Sequence, residues 1–263
     1  MEYTIFLEGV HKSYGPVHAL NGIDLQVREG VFYGFLGPNG AGKSTAIKLM
    51  IGILYPDAGR IVINGYDVRT DIIKIKASVG FLPEQLNLYE RLTGREYLSF
   101  IGHMHGLTSD MVKQHSKELI ELVDIEADKL IDQYSLGMKK KIALAAAMIH
   151  KPRLLLLDEP FTGIDVISTR RIREVLLTLT KEEKVTIFFS SHVLEIIEKL
   201  CTEIAIIHKG KIIKAGEIEK LKREVGREGT TLEDLFLGLI AESDAGSIAS
   251  KESVEPTPGE NIG

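Results

Sequence analysis

Nine residues constrain this chain more than any other stretch. "VFYGFL" (31–36), wholly apolar apart from its glycine, runs into Gly37-Pro38-Asn39-Gly40-Ala41-Gly42-Lys43-Ser44-Thr45, and an apolar helical pattern follows through Ile47, Met50 and Ile51. This is G-x-x-x-x-G-K-[ST] in the setting that gives it meaning, after a strand and before a helix. The glycines let consecutive backbone N–H groups turn inward as an anion nest at the positive end of that helix. Lys43 is then placed to reach terminal phosphates, and the Ser44 hydroxyl to serve a Mg²⁺ ion. A buried strand feeding such a loop belongs to an α/β sheet.

The rest of the chain supplies more of that sheet. "LLLLDE" (154–159), "VTIFFS" (185–190) and "IAIIH" (204–208) are apolar runs alternating with helical stretches at 168–180 and 193–200, the pattern of parallel strands buried on both faces. Ahead of the phosphate loop, "TIFLEGV", "VHAL" and "IDLQV" alternate in the strand manner. Asn21-Gly22 between the last two predicts a hairpin turn, and Asn64-Gly65 between "GRIVI" and "YDV" predicts another. Thr93 and Glu96 form a capping-box pattern opening a helical block over 93–150, which reads as an insertion between two strands. Residues 1–240 form the predicted domain, with a C-terminal extension at 217–240. Residues 241–263, rich in Ser, Glu, Pro and Gly, are expected to be disordered.

Charge and cysteine content narrow the partners. The net charge is −5, and much of it lies in the tail, where Glu242, Asp244, Glu252, Glu255 and Glu260 face Lys251 alone. A near-neutral body is poor support for a dedicated nucleic-acid binder, which usually shows a basic face, so no nucleic acid is expected as partner. Cys201 is a single cysteine flanked by apolar positions, which excludes an intramolecular disulfide and reads as a buried thiol. Met1-Glu2-Tyr3 lacks the basic-then-apolar start of a signal peptide, and no run of about 18 apolar residues is present. His103, His105 and His115 lack the carboxylate pattern of a metal site and read as surface or core histidines.

Asp158 and Glu159 close the apolar run 154–157, at the strand end where α/β sheets bind ligands. Asp158 suits a hard Mg²⁺ ion, directly or through water, and Glu159 suits polarisation of an attacking water. His192, in "FFSSHVLE", ends the next strand at the same edge, which places it near a γ-phosphate.

Those residues do not distinguish among phosphate-loop enzymes. "YSLGMKKK", in which Gly137 precedes Asp158 by 21 residues, does. With the motifs above, over roughly residues 3–240, the chain resembles the ATP-binding cassette (ABC) ATPases, in the form common among ABC-2-type exporters. The resemblance implies an α/β P-loop NTPase with a RecA-like core, an N-terminal antiparallel β subdomain and an inserted α-helical subdomain. It makes Tyr14 the aromatic that stacks on adenine, Ser135 and Gly137 the signature residues and Asp165 of "TGID" the D-loop aspartate. Lys43, Glu159 and His192 become the catalytic residues. Leu136 and Met138 depart from the usual signature glycine and glutamine. In "GFLPEQL" the register favours Glu84 as the Q-loop residue and the chemistry favours Gln85.

The resemblance further implies ATP and Mg²⁺ as ligands and head-to-tail packing of two nucleotide-binding subunits, as a homodimer or with a paralogue. Each ATP would then lie between one subunit's 37–45 loop and the other's Ser135–Met138. A separate transmembrane permease would dock on the helical block and Phe81–Leu92, with this chain on the cytoplasmic face of the membrane. Two rivals share the phosphate loop: a soluble ABC protein acting on ribosomes or DNA, and a small-molecule kinase. The first usually carries two cassettes or a long coiled coil, and the second has no use for a signature motif. Lys139–Lys141 are expected to start a solvent-facing helix turn.

Overall fold

The computed structural model describes residues 3–224 and 231–252, with the backbone alone over 246–252. In chain order, β1 (Tyr3–Tyr14), β2 (Val17–Arg28) and β3 (Phe32–Leu36) lead into α1 (Lys43–Met50). β4 (Ala58–Ile63), β5 (Tyr66–Asp67), α2 (Ile72–Ser78) and β6 (Val79–Leu82) follow. The helical block holds α3 (Gly94–Met104), α4 (Ser109–Val123), a 3-10 turn at Ile131–Gln133 and α5 (Leu136–Met148). Then come β7 (Leu154–Asp158), α6 (Val166–Glu182), β8 (Thr186–Ser191), α7 (Leu194–Leu200) and β9 (Glu203–His208). β10 (Lys211–Glu217), α8 (Ile218–Glu224) and α9 (Leu232–Glu252) end the described chain.

Two sheets organise these elements. One is antiparallel, in the order β2-β1-β4-β5; the other runs β10-β9-β3-β8-β7-β6, parallel except for β10. Apart from the edge strand β10, the strands of the second sheet are buried on both faces, so their side chains alternate between two cores. Leu36, Leu155, Leu157, Ile187 and Phe189 point toward the helical block and α6. Tyr33, Phe35, Leu156, Phe188 and Ile207 point toward α1 and the antiparallel sheet's Ile5, Leu7 and Val10. Aromatic pairs bind neighbouring strands on each face: Phe32 meets Phe189 edge-on at 5.5 Å, and Tyr33 stacks on Phe188 at 5.7 Å. Each such buried ring contributes about 1.5–3 kcal/mol of transfer free energy.

Local signals set the helix starts. Thr93 caps α3 in a reciprocal capping box with Glu96, Ser135 caps α5 and Asp165 caps α6. Asn64 and Gly65, at φ 50° and 82°, make the expected tight turn between β4 and β5.

Two expectations are corrected. Asn21-Gly22 is not a hairpin turn: it lies inside β2, and the reversal is made by Gly15-Pro16. The Asn21 N–H donates to Gly210 O at 2.8 Å, and Gly22, at φ 69°, marks a register shift opposite His11, so the dipeptide serves a bulge. The segment from 241 is not a disordered tail throughout, because α9 continues to Glu252. Ser243 hydrogen-bonds His208 Nδ1 at 3.1 Å, and Asp244 accepts from Lys209 Nζ at 2.6 Å, which fastens the helix over the end of β9. Residues 253–263 lie outside the described residues.

Candidate nucleotide site

Three adjacent strands deliver the chemistry to one sheet edge. β3 ends at Leu36 and releases the glycine loop, β8 ends at Ser191 just before His192, and β7 ends at Asp158. Register holds these ends level, with Leu36 paired to Ser191 and Asp158 to Ser190.

The loop backbone is shaped for the work. Gly42, the residue before α1, has φ 110°, and a Cβ there would lie 2.4 Å from Ala19 O, so no other residue fits without displacement. Lys43 is buried and folds back on its own loop, donating to Gly37 O at 2.7 Å and Pro38 O at 3.2 Å. An open cleft of about 610 Å³ lies in front, lined by Tyr14, Asn39, Gly40, Gly42, Lys43, Ser44, Thr45, Glu84, Glu159 and Lys209. Gly37, Pro38 and Ala41 form the loop's inner wall, where Gly37 N–H donates to Ser191 O and Ala41 N–H to Pro38 O.

Glu159 is the most constrained residue of the edge. It adopts φ 48°, a left-handed conformation rare outside glycine and characteristic of functional sites. Its Oε1 accepts from His192 Nδ1 at 3.0 Å and lies 3.4 Å from Lys43 Nζ, and its Oε2 accepts from Thr162 Oγ1 at 3.0 Å. Asp158, only 2% exposed, accepts from Ser190 Oγ at 2.6 Å through Oδ1. Among the described residues no hydrogen bond reaches its Oδ2. That free carboxylate oxygen and the hydroxyl of Ser44, which lines the cleft, are hard oxygen donors of the kind Mg²⁺ takes.

The structure brings Tyr14, the 37–45 loop, Glu84, Asp158, Glu159 and His192 together. It separates the Q-loop alternatives, since Glu84 lines this cleft while Gln85 lines a different groove with Phe81, Leu86 and His105. It also leaves Ser135, Gly137 and Asp165 off the cleft's wall. They cluster with one another instead: a Cβ on Gly137 would meet Ser168 Oγ at 2.5 Å and Asp165 Oδ2 at 2.8 Å. Asp165 accepts from the Ser168 N–H at 2.8 Å, which with the Ser168 hydroxyl holds its carboxyl below the ordinary carboxylate range. Ser135 is exposed there, beside the exposed apolar side chains of Leu136, Val166 and Ile167.

The lysine run is not a solvent-facing turn. Lys139 pairs with Glu90 at 2.6 Å, and Lys140 and Lys141 are buried, donating to Glu159 O at 2.7 Å and Asp124 O at 3.1 Å. Their acceptors are carbonyls far away in sequence, which no local pattern reveals. Sequence reasoning likewise missed Ser190 and Thr162, although Ser190 was detectable as a hydroxyl one residue inside the strand next to Asp158. The three histidines scatter: His103 bonds Ser99 O, His105 stacks on His150 at 3.8 Å, and buried His115 bonds Ile149 O. Cys201 is buried, and desolvation raises its thiol pKa well above the ordinary value.

A phosphate loop, an acidic strand end and a separate serine-capped signature helix define an ATP-binding cassette. The family described as ABC transporter matches residues 20–162. The linearmycin resistance ATP-binding protein of Bacillus subtilis is 38% identical over 90% of this chain and 76% of its own length. The bacitracin transport ATP-binding protein of Enterococcus faecalis is 38% identical over 85% of this chain and 72% of its own. A solved ATP-binding subunit of an ABC transporter superposes with a TM-score of 0.83 at 28% identity, covering 90% of this chain and 99% of that one. This chain belongs to the ABC transporter family.

Proposed function

We propose that the chain is the motor of an exporter whose permease is a separate membrane protein, and that it binds ATP with Mg²⁺ at the edge built by β3, β8 and β7. Tyr14 stacks on adenine, and the N–H groups of residues 37–45 hold the phosphates. Lys43 exchanges its contacts with Glu159 and the loop carbonyls for phosphate oxygens. The Ser44 hydroxyl and Asp158 would hold Mg²⁺, which offsets charge on the phosphate oxygens. Glu159 takes the proton from a water that attacks the γ-phosphorus; the bond to the leaving ADP oxygen breaks, and ADP and phosphate are released. His192 holds the Glu159 carboxylate from the other side. Glu84 fits the Q-loop role because it faces this cleft.

The observation that carries the reading is the division of the site. Ser135 stands on an exposed edge away from the phosphate loop, among uncovered apolar residues, Val166 being 84% and Ile167 80% exposed, with Gly137 buried just behind it against Ser168 and Asp165. Such a surface suits a second nucleotide-binding subunit, of the same chain or a paralogue, with Ser135 closing over its ATP. No helix among the described residues is long and apolar enough to cross a membrane, which supports a separate permease and a peripheral place on the cytoplasmic face. The names of the drug-resistance and antibiotic-transport relatives support export.

Light scattering tests the shared site, using Glu159→Gln to hold ATP. ATP is expected to double the mass of that variant, and adding Ser135→Arg is expected to abolish the doubling while ATP binding persists. A closed dimer despite Ser135→Arg refutes the shared site. Salt-sensitive binding to ribosomes or DNA would favour the soluble rival.

A further inference from the structure

The buried ammonium of Lys140 has no part in the chemistry above, and its position is hard to explain as packing. It lies on α5, five residues after Ser135, is 2% exposed and donates to the backbone carbonyl of Glu159 at 2.7 Å. Burial lowers its pKa, opposed by the charges of Glu159, Glu84 and Asp158. An apolar side chain would fill the same space without the desolvation penalty of a buried charge. What the ammonium adds is a fixed grip on one peptide group.

That peptide is the one whose geometry matters. The Glu159 N–H donates to Ser190 Oγ at 3.0 Å, so the residue is held through its N–H by β8 and through its carbonyl by Lys140. Between these grips Glu159 keeps its left-handed φ of 48°, which aims its carboxylate at Lys43 and His192. Release of the carbonyl frees the backbone toward commoner conformations and turns the carboxylate away. The neighbouring lysines anchor α5 elsewhere, Lys139 to Glu90 and Lys141 to Asp124 O, so Lys140 alone of the three touches the catalytic strand end.

We propose that Lys140 is a positioning residue that couples the two nucleotide sites of the dimer. This rests on the shared-site reading above. When the Ser135 end of α5 meets the partner's nucleotide, the displacement of α5 is carried by Lys140 to Glu159 of its own chain and sets that carboxylate for attack. Each site then senses occupancy of the other through one hydrogen bond.

Steady-state ATPase titration of the full chain tests this with two variants. Lys140→Met fills the volume without a donor, and Lys140→Gln keeps a neutral donor. Lys140→Met is expected to lower kcat about tenfold with KM for ATP changed less than about threefold, and to bring the Hill coefficient to one. Lys140→Gln is expected to recover most of the loss. If Lys140→Met turns over with wild-type kcat and Hill coefficient, the coupling is refuted. If both variants lose turnover equally and melt well below the wild type, Lys140 is scaffolding and the proposal also falls. A wild-type chain without ATP turnover overturns the ATPase reading and the coupling together.

Discussion

Replacing Glu159 by glutamine should separate binding from turnover in opposite directions. Lys43 Nζ lies 3.4 Å from Glu159 Oε1, with both side chains only 7% exposed. At an effective dielectric of about 20, unit charges at that distance attract by about 5 kcal/mol before desolvation is subtracted. Incoming phosphates compete for the same lysine and are repelled by the same carboxylate. Lys43 also leans on Gly37 O and Pro38 O, so only part of this attraction is at stake. Neutralising Glu159 should therefore tighten ATP binding by about tenfold, or about 1.4 kcal/mol. Loss of the base should lower kcat by about a hundred- to ten-thousandfold. The amide can keep contacts to Thr162 and His192, so the melting temperature should move by no more than about 2–4 °C. Equilibrium binding of a fluorescent ATP analogue and phosphate release measure the two effects. Turnover within threefold of the wild type removes Glu159 from its role, and weaker ATP binding in the variant refutes the competition for Lys43.

Gly137→Ala places a Cβ 3.0 Å from Ser168 Cβ as well as against two oxygens, and overpacking of this kind should destabilise the chain by about 1–3 kcal/mol in urea titration. Tyr14→Ala should weaken ATP binding by about 1–3 kcal/mol, while Tyr14→Phe keeps the stacking face and binds normally in calorimetry. Burial, with His105 stacked beside it, pushes the His150 imidazole down to about 4, whereas an unfolded histidine titrates near 6.5. The unfolded chain therefore binds this proton first, and stability falls as the pH drops from about 6.5 toward 4. The loss between about pH 6.5 and 5 is about 2 kcal/mol, and His150→Leu should flatten that part of the denaturation profile.

What could be read in advance follows the range of the interactions. The phosphate loop, the Thr93–Glu96 box and the Asn64-Gly65 turn are set by neighbours in sequence, and they are where the pattern puts them. Asp158, Glu159 and His192 were reachable because an apolar run forces its polar terminus to the sheet edge. Asn21-Gly22 carries the same local preference as Asn64-Gly65, yet the Gly210 carbonyl captures its N–H and the strand continues through it. Lys140 and Lys141 look like surface cations until the fold supplies the carbonyls of Glu159 and Asp124. α2 escaped because two exposed lysines and an 81% exposed Ile73 blur its seven-residue pattern.

The level ends of β3, β8 and β7 also limit how this machine can vary. Side chains on a strand alternate faces, so a slip of one residue between β7 and β8 would exchange Phe188 and Phe189 between the two cores and misalign Asp158 with Ser190. The chemistry is thus locked to the packing of the whole central sheet, and no small adjustment retunes one without disrupting the other. Among the described residues β6 pairs with β7 alone, and its connection toward α3 crosses an exposed stretch through Glu84 and Gln85 to Tyr89 and Glu90. Glu84 faces the nucleotide cleft and Glu90 holds Lys139, so substitution is least costly between them, at exposed positions such as Gln85 and Asn87 that carry no contact to the phosphate-loop edge.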